Sequence, residues 1–256
     1  MDLVALPAFA DNYIWMLHDG AQAVVVDPGD AAPVMAALDR LQLRLSAILV
    51  THHHPDHVGG LQALRERLEG VVHGPAREAI PPPFAPRRGG ERIEVLGLTF
   101  EVIDVPGHTA GHIAYAQCDA AAEPLLFCGD TLFCAGCGRL FEGTPAQMLA
   151  SLERLAALPP DTRVCAAHEY TLSNLRFAAA VEPANEAIAA HTAHCRALRD
   201  AGQATLPSTI ALEREINPFL RCREPAVIAA ALDEGAAGPE PVAVLAGLRE
   251  WKNRFR

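Results

Sequence analysis

The sequence predicts an α/β fold in which two β-sheets pack face to face with helices outside them, followed by a helical C-terminal domain. Through residue 168, short apolar runs rich in β-branched residues alternate with helix-favouring segments, a pattern typical of paired sheets covered by helices. After residue 168, alanine-rich segments are separated by Pro or Gly, which favours helices joined by short breaks. We therefore expect a strand-rich domain over 1–168 and a helical domain over 169–256.

The expected elements follow from the spacing of apolar and turn-forming residues. Apolar runs bounded by Asp, Asn, Gly or Pro predict strands, and apolar residues three or four apart predict helices. Strands are predicted over 3–9, 13–18, 21–26, 47–51, 113–117, 125–128 and 164–167, with a hairpin over 92–105 around Gly97. Helices are predicted over 33–41, 58–68, 172–181, 183–201, 225–232 and 241–251. A proline-rich loop is expected over 81–86, and no clear strand follows residue 168.

The composition restricts the class of protein. Half of the 256 residues are apolar and the net charge is -10, which describes a soluble globular chain. This charge argues against nucleic-acid binding, because phosphate recognition needs a basic face. No apolar run approaches the roughly 18 residues of a membrane span, and the first residues lack a basic signal-peptide start. We therefore expect a cytoplasmic protein without nucleic-acid or membrane partners.

The seven cysteines, spread from Cys118 to Cys222, are odd in number and are therefore expected to be reduced thiols rather than a disulfide framework. Cys134 and Cys137 form a Cys-x-x-Cys motif, but no second pair stands near it. The glycines around Cys137 indicate a tight loop. We favour this structural interpretation over a redox or zinc-binding role.

The C-terminal end is basic. Arg249, Lys252, Arg254 and Arg256 fall in the last eight residues, against the single acid Glu250. For an arbitrary protein, such a cluster is most simply a solvated, frayed end.

A dense group of histidines follows the predicted strand over 47–51. His52, His54, Asp56 and His57 fall within six positions, and ionisable groups at this density need a partner when they are buried. A metal ion supplies that partner. The complete His-x-His-x-Asp-His pattern therefore predicts a metal site at the end of this strand.

More ligands must come from elsewhere, because a zinc ion takes four ligands and a catalytic ion keeps one position for water. His108, Asp130 and His168 each come after an apolar run. Ligands of open sheets gather beyond the carboxyl ends of strands, so we expect these three side chains to complete the site.

Four other histidines are not expected to be ligands. His53 would point away from its neighbours and be structural or solvated, while His112, four residues after His108, is expected to support a ligand. His191 and His194 would share one helix face, which favours a surface pair over a metal site.

These residues together resemble the metallo-β-lactamase superfamily, and the closer likeness is to its glyoxalase II, or hydroxyacylglutathione hydrolase, family. The metal motif alone indicates the superfamily, whereas the helical domain with its Arg-x-x-Lys indicates the substrate class. The likeness rests on Thr-His-His-His-Pro-Asp-His at 51–57, Pro-Gly-His-Thr-Ala-Gly-His at 106–112, Gly-Asp-Thr-Leu-Phe at 129–133, Gly-Cys-Gly-Arg at 136–139, His-Glu-Tyr-Thr at 168–171, Glu-Pro-Ala-Asn at 182–185, Pro-Ser-Thr at 207–209, Asn-Pro-Phe-Leu-Arg at 217–221 and Arg-Glu-Trp-Lys at 249–252.

The resemblance implies an αββα sandwich and two divalent metal ions per chain, with zinc expected and iron or manganese compatible with the same ligand types. It also implies a catalytic role for Asp56 and Asp130. One ion would take His52, His54 and His108, the other Asp56, His57 and His168, and Asp130 would bridge them.

The resemblance further implies a glutathione-binding surface in the helical domain, which revises the frayed-end interpretation for two basic residues. The positions that carry over are Arg139, Phe141, Tyr170, Arg249 and Lys252. Phe141 is a departure, since the family often has a phenol there.

The implied activity is hydrolysis of S-2-hydroxyacylglutathione, such as S-lactoylglutathione, to glutathione and a 2-hydroxy acid (D-lactate) by a metal-bridging hydroxide. This reaction is the second step of methylglyoxal detoxification, and a monomer acting on a small-molecule thioester is expected. The main alternative is a glutathione persulfide dioxygenase of the same superfamily, which uses one iron. A lactonase or β-lactamase would leave the basic cluster unexplained, and a silent binding module would not need seven competent ligands.

Overall fold

The computed structural model describes residues 1–117, 119 and 122–255 and divides the chain into two compact units. The first unit comprises Met1–Asp104, Ala110–Gly129 and Cys165–His168. The second comprises Val105–Thr109, Asp130–Val164 and the chain from Glu169 onward. Cys118 and Arg256, predicted from the sequence as a reduced thiol and part of a frayed end, lie outside the described residues.

The helices and strands reproduce most of the predicted order. Their bounds are β1 (Asp2–Ala8), β2 (Asn12–His18), β3 (Gln22–Val26), α1 (Ala31–Leu41), β4 (Arg44–Leu49), α2 (Pro55–Val58), α3 (Leu61–Leu64), β5 (Leu68–Pro75), β6 (Ala85–Arg87), β7 (Arg92–Val95), β8 (Leu98–Asp104), β9 (Ile113–Gln117), β10 (Leu125–Gly129), β11 (Leu132–Phe133), β12 (Gly136–Cys137), α4 (Pro145–Ala156), β13 (Arg163–Ala166), α5 (Thr171–Val181), α6 (Glu186–Asp200), β14 (Ser208–Thr209), α7 (Ile210–Ile216), α8 (Pro225–Asp233) and α9 (Pro241–Arg254). The predicted α/β class is confirmed.

The first unit contains two mixed sheets. The first sheet has the order β1-β2-β3-β4-β5-β6, antiparallel through β3 and parallel from β3 to β6. Within this unit the second sheet has the order β13-β10-β9-β8-β7. Side chains of α1 and α3 pack with the first sheet in one apolar core, because each helix presents an apolar stripe to the sheet.

Hydrogen bonds join the two sheets of the first unit. The Tyr115 hydroxyl on β9 donates to the carbonyl of Val50 (3.1 Å), and the backbone N–H of Ile113 donates to the carbonyl of Thr51 (3.0 Å). The indole of Trp15 on β2 donates to the carbonyl of Ala166 (2.9 Å). These contacts hold the end of β4, where the histidine-rich segment begins, against the second sheet.

The helix predicted over 58–68 is wrong. Two short helices, α2 and α3, flank Gly59 and Gly60, and β5 begins at Leu68. A Cβ atom on Gly60 would lie 2.5 Å from the Pro28 carbonyl oxygen, which accepts the Gly60 backbone N–H at 2.9 Å. The chain turns here because two glycines allow this close backbone approach.

The chain after residue 168 is largely helical, as predicted, but the second unit contains elements that the sequence did not reveal. They are helices α4 and α7, the two-residue strand β14, which pairs with the start of β13, and the hairpin of β11 and β12. The expectation of no strand after residue 168 is therefore wrong, because a two-residue strand is too short to show a periodicity. None of the helices in the described residues is long and apolar enough to cross a membrane.

Buried amides anchor the hairpin of residues 132–137. Asn217 donates from Nδ2 to the carbonyls of Phe133 (3.2 Å) and Gly136 (2.9 Å). At the turn, Ala135 has a φ of 54°, and its N–H donates to the carboxylate of Glu213 (2.9 Å). Asn174 donates to the Cys134 carbonyl (3.0 Å), so α5 and α7 fix the backbone of the hairpin.

Candidate metal centre and substrate cleft

The histidine-rich segment of the first unit starts at the end of β4. His52 is fully buried, and its Nε2 lies 3.0 Å from Nδ1 of His54. The ring of His112 stacks on that of His52, with centroids 4.6 Å apart, while its Nδ1 lies 3.0 Å from the Ile113 carbonyl. His112 therefore packs against a predicted ligand, in keeping with the supporting role expected for it.

A three-residue cluster in the same unit joins Asp56, His57 and His168. Their candidate ligand atoms all lie within 4.8 Å of one another. Nε2 of His57 and Nε2 of His168 each lie 3.5 Å from Oδ2 of Asp56. Ligand atoms on one tetrahedral ion, with bonds of about 2.0–2.2 Å, are roughly 3.3–3.6 Å apart. The spacing and donor types of this cluster therefore fit a divalent cation.

Two further carboxylates orient these imidazoles. Nδ1 of His57 lies 3.1 Å from Oδ2 of Asp27, and Nδ1 of His168 lies 2.9 Å from Oδ1 of Asp11. For His168 this contact is a hydrogen bond, which favours the tautomer with the proton on Nδ1 and leaves Nε2 as the metal-binding atom. For His57 the carboxylate lies close to Nδ1 without hydrogen-bond geometry. In both rings, Nε2 is indeed the atom that faces Asp56.

Asp11 and Asp27 were not predicted to be functional. Each lies just outside the predicted strands, yet Asp27 directly follows the apolar strand β3, which is the same signal that pointed to the predicted ligands. Its carboxylate also accepts the N–H and the hydroxyl of Thr51, both at 2.7 Å. Asp27 therefore fixes the backbone of Thr51 and lies beside the imidazole of His57.

The carboxylate of Glu78 also anchors the histidine-rich segment. One oxygen accepts the backbone N–H of His53 (3.0 Å) and contacts its ring, and the other accepts the N–H of Gly111 (2.8 Å). His53 is thus structural, as expected, and its anchored backbone fixes the neighbouring residues His52 and His54.

The other two predicted metal ligands, His108 and Asp130, belong to the second unit. Nε2 of His108 lies 3.4 Å from Oδ2 of Asp130. Nδ1 of His108 lies 2.9 Å from the carbonyl oxygen of Arg139, which again directs the proton to Nδ1. His108 therefore presents the same nitrogen atom as His57 and His168.

A cleft of about 500 Å³ in the second unit extends from this pair. All five residues predicted to bind glutathione line it together with the two ligands. The lining residues are His108, Asp130, Phe133, Cys137, Arg139, Phe141, Tyr170, Ser173, Asn174, Arg249, Lys252, Asn253 and Phe255.

The two cations of α9 in this cleft are held by neutral groups. Arg249 donates from Nη1 to the Cys137 carbonyl (2.8 Å) and lies over the ring of Phe219. Lys252 donates from Nζ to the carbonyl of Ser173 (3.0 Å) and lies over Phe177. Burial, helped by the charge of Arg249, lowers the pKa of Lys252 to about 8, so an anion in the cleft would stabilise its charged form.

The other three residues predicted to bind glutathione are more accessible to solvent than Arg249 and Lys252. Arg139 is exposed, and Phe141, which is 61% exposed, places its ring 5.3 Å from that of His108. The ring of Tyr170 meets that of Phe133 edge to face at 5.3 Å. The three side chains therefore present one guanidinium and two aromatic groups at the mouth of the cleft.

Two family profiles together match nearly the whole chain. The profile described as the Metallo-beta-lactamase superfamily matches residues 9–168. The profile described as Hydroxyacylglutathione hydrolase C-terminus matches residues 169–255.

Individual relatives give the same result. A hydroxyacylglutathione hydrolase of Albidiferax ferrireducens is 61% identical, with 100% of both chains covered. Among solved structures, ETHE1 from Myxococcus xanthus is similar with a TM-score of 0.66 at 27% identity, covering 98% of each chain. TTHA1623, solved in a di-iron-bound form, has a TM-score of 0.59 at 28% identity and covers 86% of this chain and 100% of its own.

The paired sheets and the cluster of histidines and aspartates are those of a metallo-β-lactamase fold. Within that superfamily, the chain belongs to the hydroxyacylglutathione hydrolase family.

Proposed function

We propose that this protein is a metal-dependent thioester hydrolase that cleaves S-2-hydroxyacylglutathione, with S-lactoylglutathione as the substrate, to glutathione and D-lactate. The observation that supports this function best is the cleft of the second unit, which is lined both by His108 and Asp130 and by the cations Arg249 and Lys252. In a cleft of this kind, His108 and Asp130 would hold a metal ion beside the reacting carbonyl. Arg249 and Lys252 would provide positive charge for an anionic thiol carrier.

The proposed metal centre holds two divalent ions. We assign His52, His54 and His108 to one ion, and Asp56, His57 and His168 to the other, with Asp130 shared between them. Zinc is the proposed metal, since imidazole and carboxylate are common zinc ligands. When bound, the ions supply hydroxide at neutral pH by lowering the pKa of bound water from 15.7 toward about 7, and polarise the thioester carbonyl.

The chain's own residues then orient the reactants. The Asn12 amide donates to Oδ2 of Asp56 (3.0 Å), which holds this carboxylate in place to accept a hydrogen bond from the attacking water. The glutathione thiolate can leave without a protein acid, because thiols have pKa values near 8.5.

Glutathione carries two carboxylates, for which Arg249, Lys252 and Arg139 are the proposed partners. Charge-assisted hydrogen bonds from arginine and lysine to carboxylates are stronger than neutral ones. Tyr170 offers a hydroxyl to the peptide, whereas Phe141 offers only apolar surface. We propose that residues 1–168 are the catalytic domain and 169–256 the glutathione-binding domain of a cytoplasmic monomer.

The test is to supply S-lactoylglutathione to the purified, zinc-loaded protein while measuring thioester loss and metal content per chain. A simple lactoyl thioester without the glutathione peptide serves as the comparison substrate. We expect two ions per chain and a much higher kcat/KM for the glutathione thioester. Equal values for both substrates would contradict the proposed recognition of glutathione, and turnover without bound metal would contradict the mechanism.

The alternative, a glutathione persulfide dioxygenase, is not favoured, because relatives at up to 61% identity over the full length are named hydroxyacylglutathione hydrolases. Oxygen uptake with glutathione persulfide, measured on the same preparation, distinguishes the two. We expect none above the rate without protein.

A further inference from the structure

A second cavity of the second unit adjoins the substrate cleft. It has a volume of about 550 Å³ and shares four lining residues with the cleft, namely Arg139, Phe141, Arg249 and Asn253. Glu250 lines the second cavity but not the cleft. Because the two cavities border the same side chains, a ligand that extends past these side chains would enter the second cavity.

The second cavity presents opposite charges that do not neutralise each other. The side chains of Arg139 and Glu250 are both exposed, and neither makes an ion pair or a hydrogen bond within the described residues. They line the same cavity without pairing with each other. A ligand group that carries both a positive and a negative charge would therefore complement this cavity.

Glutathione has a group of this kind at one end. Its γ-glutamyl residue carries an α-ammonium and an α-carboxylate on one carbon atom, whereas its glycyl end carries only a carboxylate. Cations have been proposed above for both carboxylates, but the ammonium group still lacks an anionic partner. An ammonium group that is partly removed from water needs hydrogen-bond acceptors.

The substrate cleft offers the ammonium group few acceptors. Among the described residues that line the cleft, Asp130 is the one carboxylate, and it is assigned to the metal ions. Oδ1 of Asn253 already accepts from Nη2 of Arg249 (3.2 Å), and the carbonyl of Ser173 accepts from Nζ of Lys252 (3.0 Å). Of the described residues that line the two cavities, Glu250 is thus the carboxylate left for the ammonium group.

We propose that the second cavity is the subsite for the γ-glutamyl head group, with Glu250 binding its ammonium and Arg139 its carboxylate. Arg249 and Lys252 then bind the glycyl carboxylate. This inference rests on the proposed recognition of glutathione and adds an anionic residue to it. Because Glu250 is exposed, its contribution is modest, and an ion pair of this kind changes a dissociation constant by about 2–5-fold. Glu250 therefore selects for thiol carriers that have a free amino group.

A ligand that cannot be hydrolysed tests the subsite separately from catalysis. S-Methylglutathione, whose methyl group keeps the sulfur from binding metal as a thiolate, is titrated into the zinc-loaded full chain by calorimetry. The second ligand is the same compound with hydrogen in place of the α-amino group. For the wild-type protein, we expect removal of the amino group to raise Kd by about 2–5-fold. Glu250→Gln should raise Kd for S-methylglutathione by the same factor and leave Kd for the deaminated ligand unchanged.

Glu215→Gln is the matched control, since Glu215 is an exposed carboxylate of the same unit that lines neither cavity. This variant should bind both ligands as the wild-type protein does. The proposal would be overturned if Glu250→Gln changed Kd for both ligands equally or for neither, or if S-methylglutathione did not bind the wild-type protein. Hydrolysis of S-lactoylglutathione, measured on the same preparations, tests the proposed function by itself. Full hydrolysis with no effect of Glu250→Gln on binding would overturn the subsite alone.

Discussion

The two units surround their ionisable groups with opposite kinds of partner. In the first unit, the imidazoles of His57 and His168 each face a carboxylate at Nδ1 and a second carboxylate, Asp56, at Nε2. In the cleft of the second unit, the contacts of Arg249 and Lys252 within the described residues are carbonyl, hydroxyl and amide oxygens, the Cys137 sulfur and aromatic rings. The first arrangement accumulates negative charge around ligand atoms, and the second leaves positive charge uncompensated.

This difference indicates what each region is built to bind. Excess carboxylate around neutral imidazoles favours a cation, because it fixes the tautomers and offsets the charge of the ion. Cations held only by neutral groups remain available to an anion, which binds more strongly where water is partly excluded. The four changes below test this contrast, from the largest expected effect to the smallest.

The first change removes the proposed shared metal ligand. Asp130→Asn should lower kcat by more than about 100-fold and reduce the metal content, because an amide binds a divalent ion less strongly than a carboxylate. Loss of a group that only hydrogen-bonds a ligand costs about 10–100-fold, and loss of the ligand itself should cost more. Thioester hydrolysis and metal per chain are measured together. Asp161→Asn, an exposed carboxylate of the same unit, is the control. Full turnover with two bound ions would contradict the proposal that Asp130 binds both of them.

The second change removes a supporting carboxylate. Asp27→Asn should weaken metal binding by about 10–100-fold, with activity recovered at high metal concentration. Asp27 has a φ of 51°, which asparagine tolerates well, so the backbone should not change. Metal affinity is measured by competition with a chelator. The exposed Asp39, paired with Arg67 at 2.8 Å, supplies the control Asp39→Asn. Unchanged affinity in Asp27→Asn would show that the tautomer is fixed by other groups.

The third change tests the uncompensated charge of Lys252. Its pKa is lowered to about 8, so its cation is present below that pH and is lost as the pH rises through it. KM for the glutathione thioester should therefore rise several-fold between about pH 7 and pH 9. Lys252→Arg should remove this rise, because arginine stays charged, whereas Lys252→Met should show a high KM at both pH values. Identical pH profiles of KM for all three proteins would show that Lys252 does not contribute to substrate binding.

The fourth change restores a hydrogen-bonding group. Phe141→Tyr should lower KM for the glutathione thioester by about 2–10-fold, the effect of one additional hydrogen bond, with kcat unchanged. The side chain is 61% exposed in the cleft, so the phenol oxygen should fit without repacking. KM for a thioester without the peptide should not change. A similar decrease for both substrates would assign the gain to the acyl group rather than to glutathione.

The sequence predicted the strands and the ligand types better than the supporting groups. His52, His54, Asp56 and His57 could be proposed as ligands because dense ionisable residues directly follow a buried strand. Asp11 and Asp27 were missed because each is a single acid in a turn, where an acid is common for local reasons. Their role depends on a distant imidazole, such as that of His168 facing Asp11 across 157 positions of sequence.

The segments that were predicted wrongly are those where tertiary contacts override local pattern. The apolar spacing over 58–68 favoured one helix, but the approach of Gly60 to Pro28 ends it after α2. His191 was expected to form a surface pair with His194 on one helix face; the two rings do lie 5.9 Å apart, but His191 is half-buried and also contacts a residue far away in the sequence. Its partner Cys134 is 57 positions away, so a helical pattern could not reveal the contact.

The anchoring of the 132–137 hairpin has a consequence for protein engineering. Asn174, Asn217 and Glu213 bind its main-chain carbonyls and one main-chain N–H, and these groups are the same whatever side chain a position carries. Cys134 is buried, so in a randomised library at position 134 the clones that fold should be limited by side-chain size and polarity and not by the anchoring of the main chain. Inserting one residue at the tip would shift every downstream carbonyl out of register and should yield almost none.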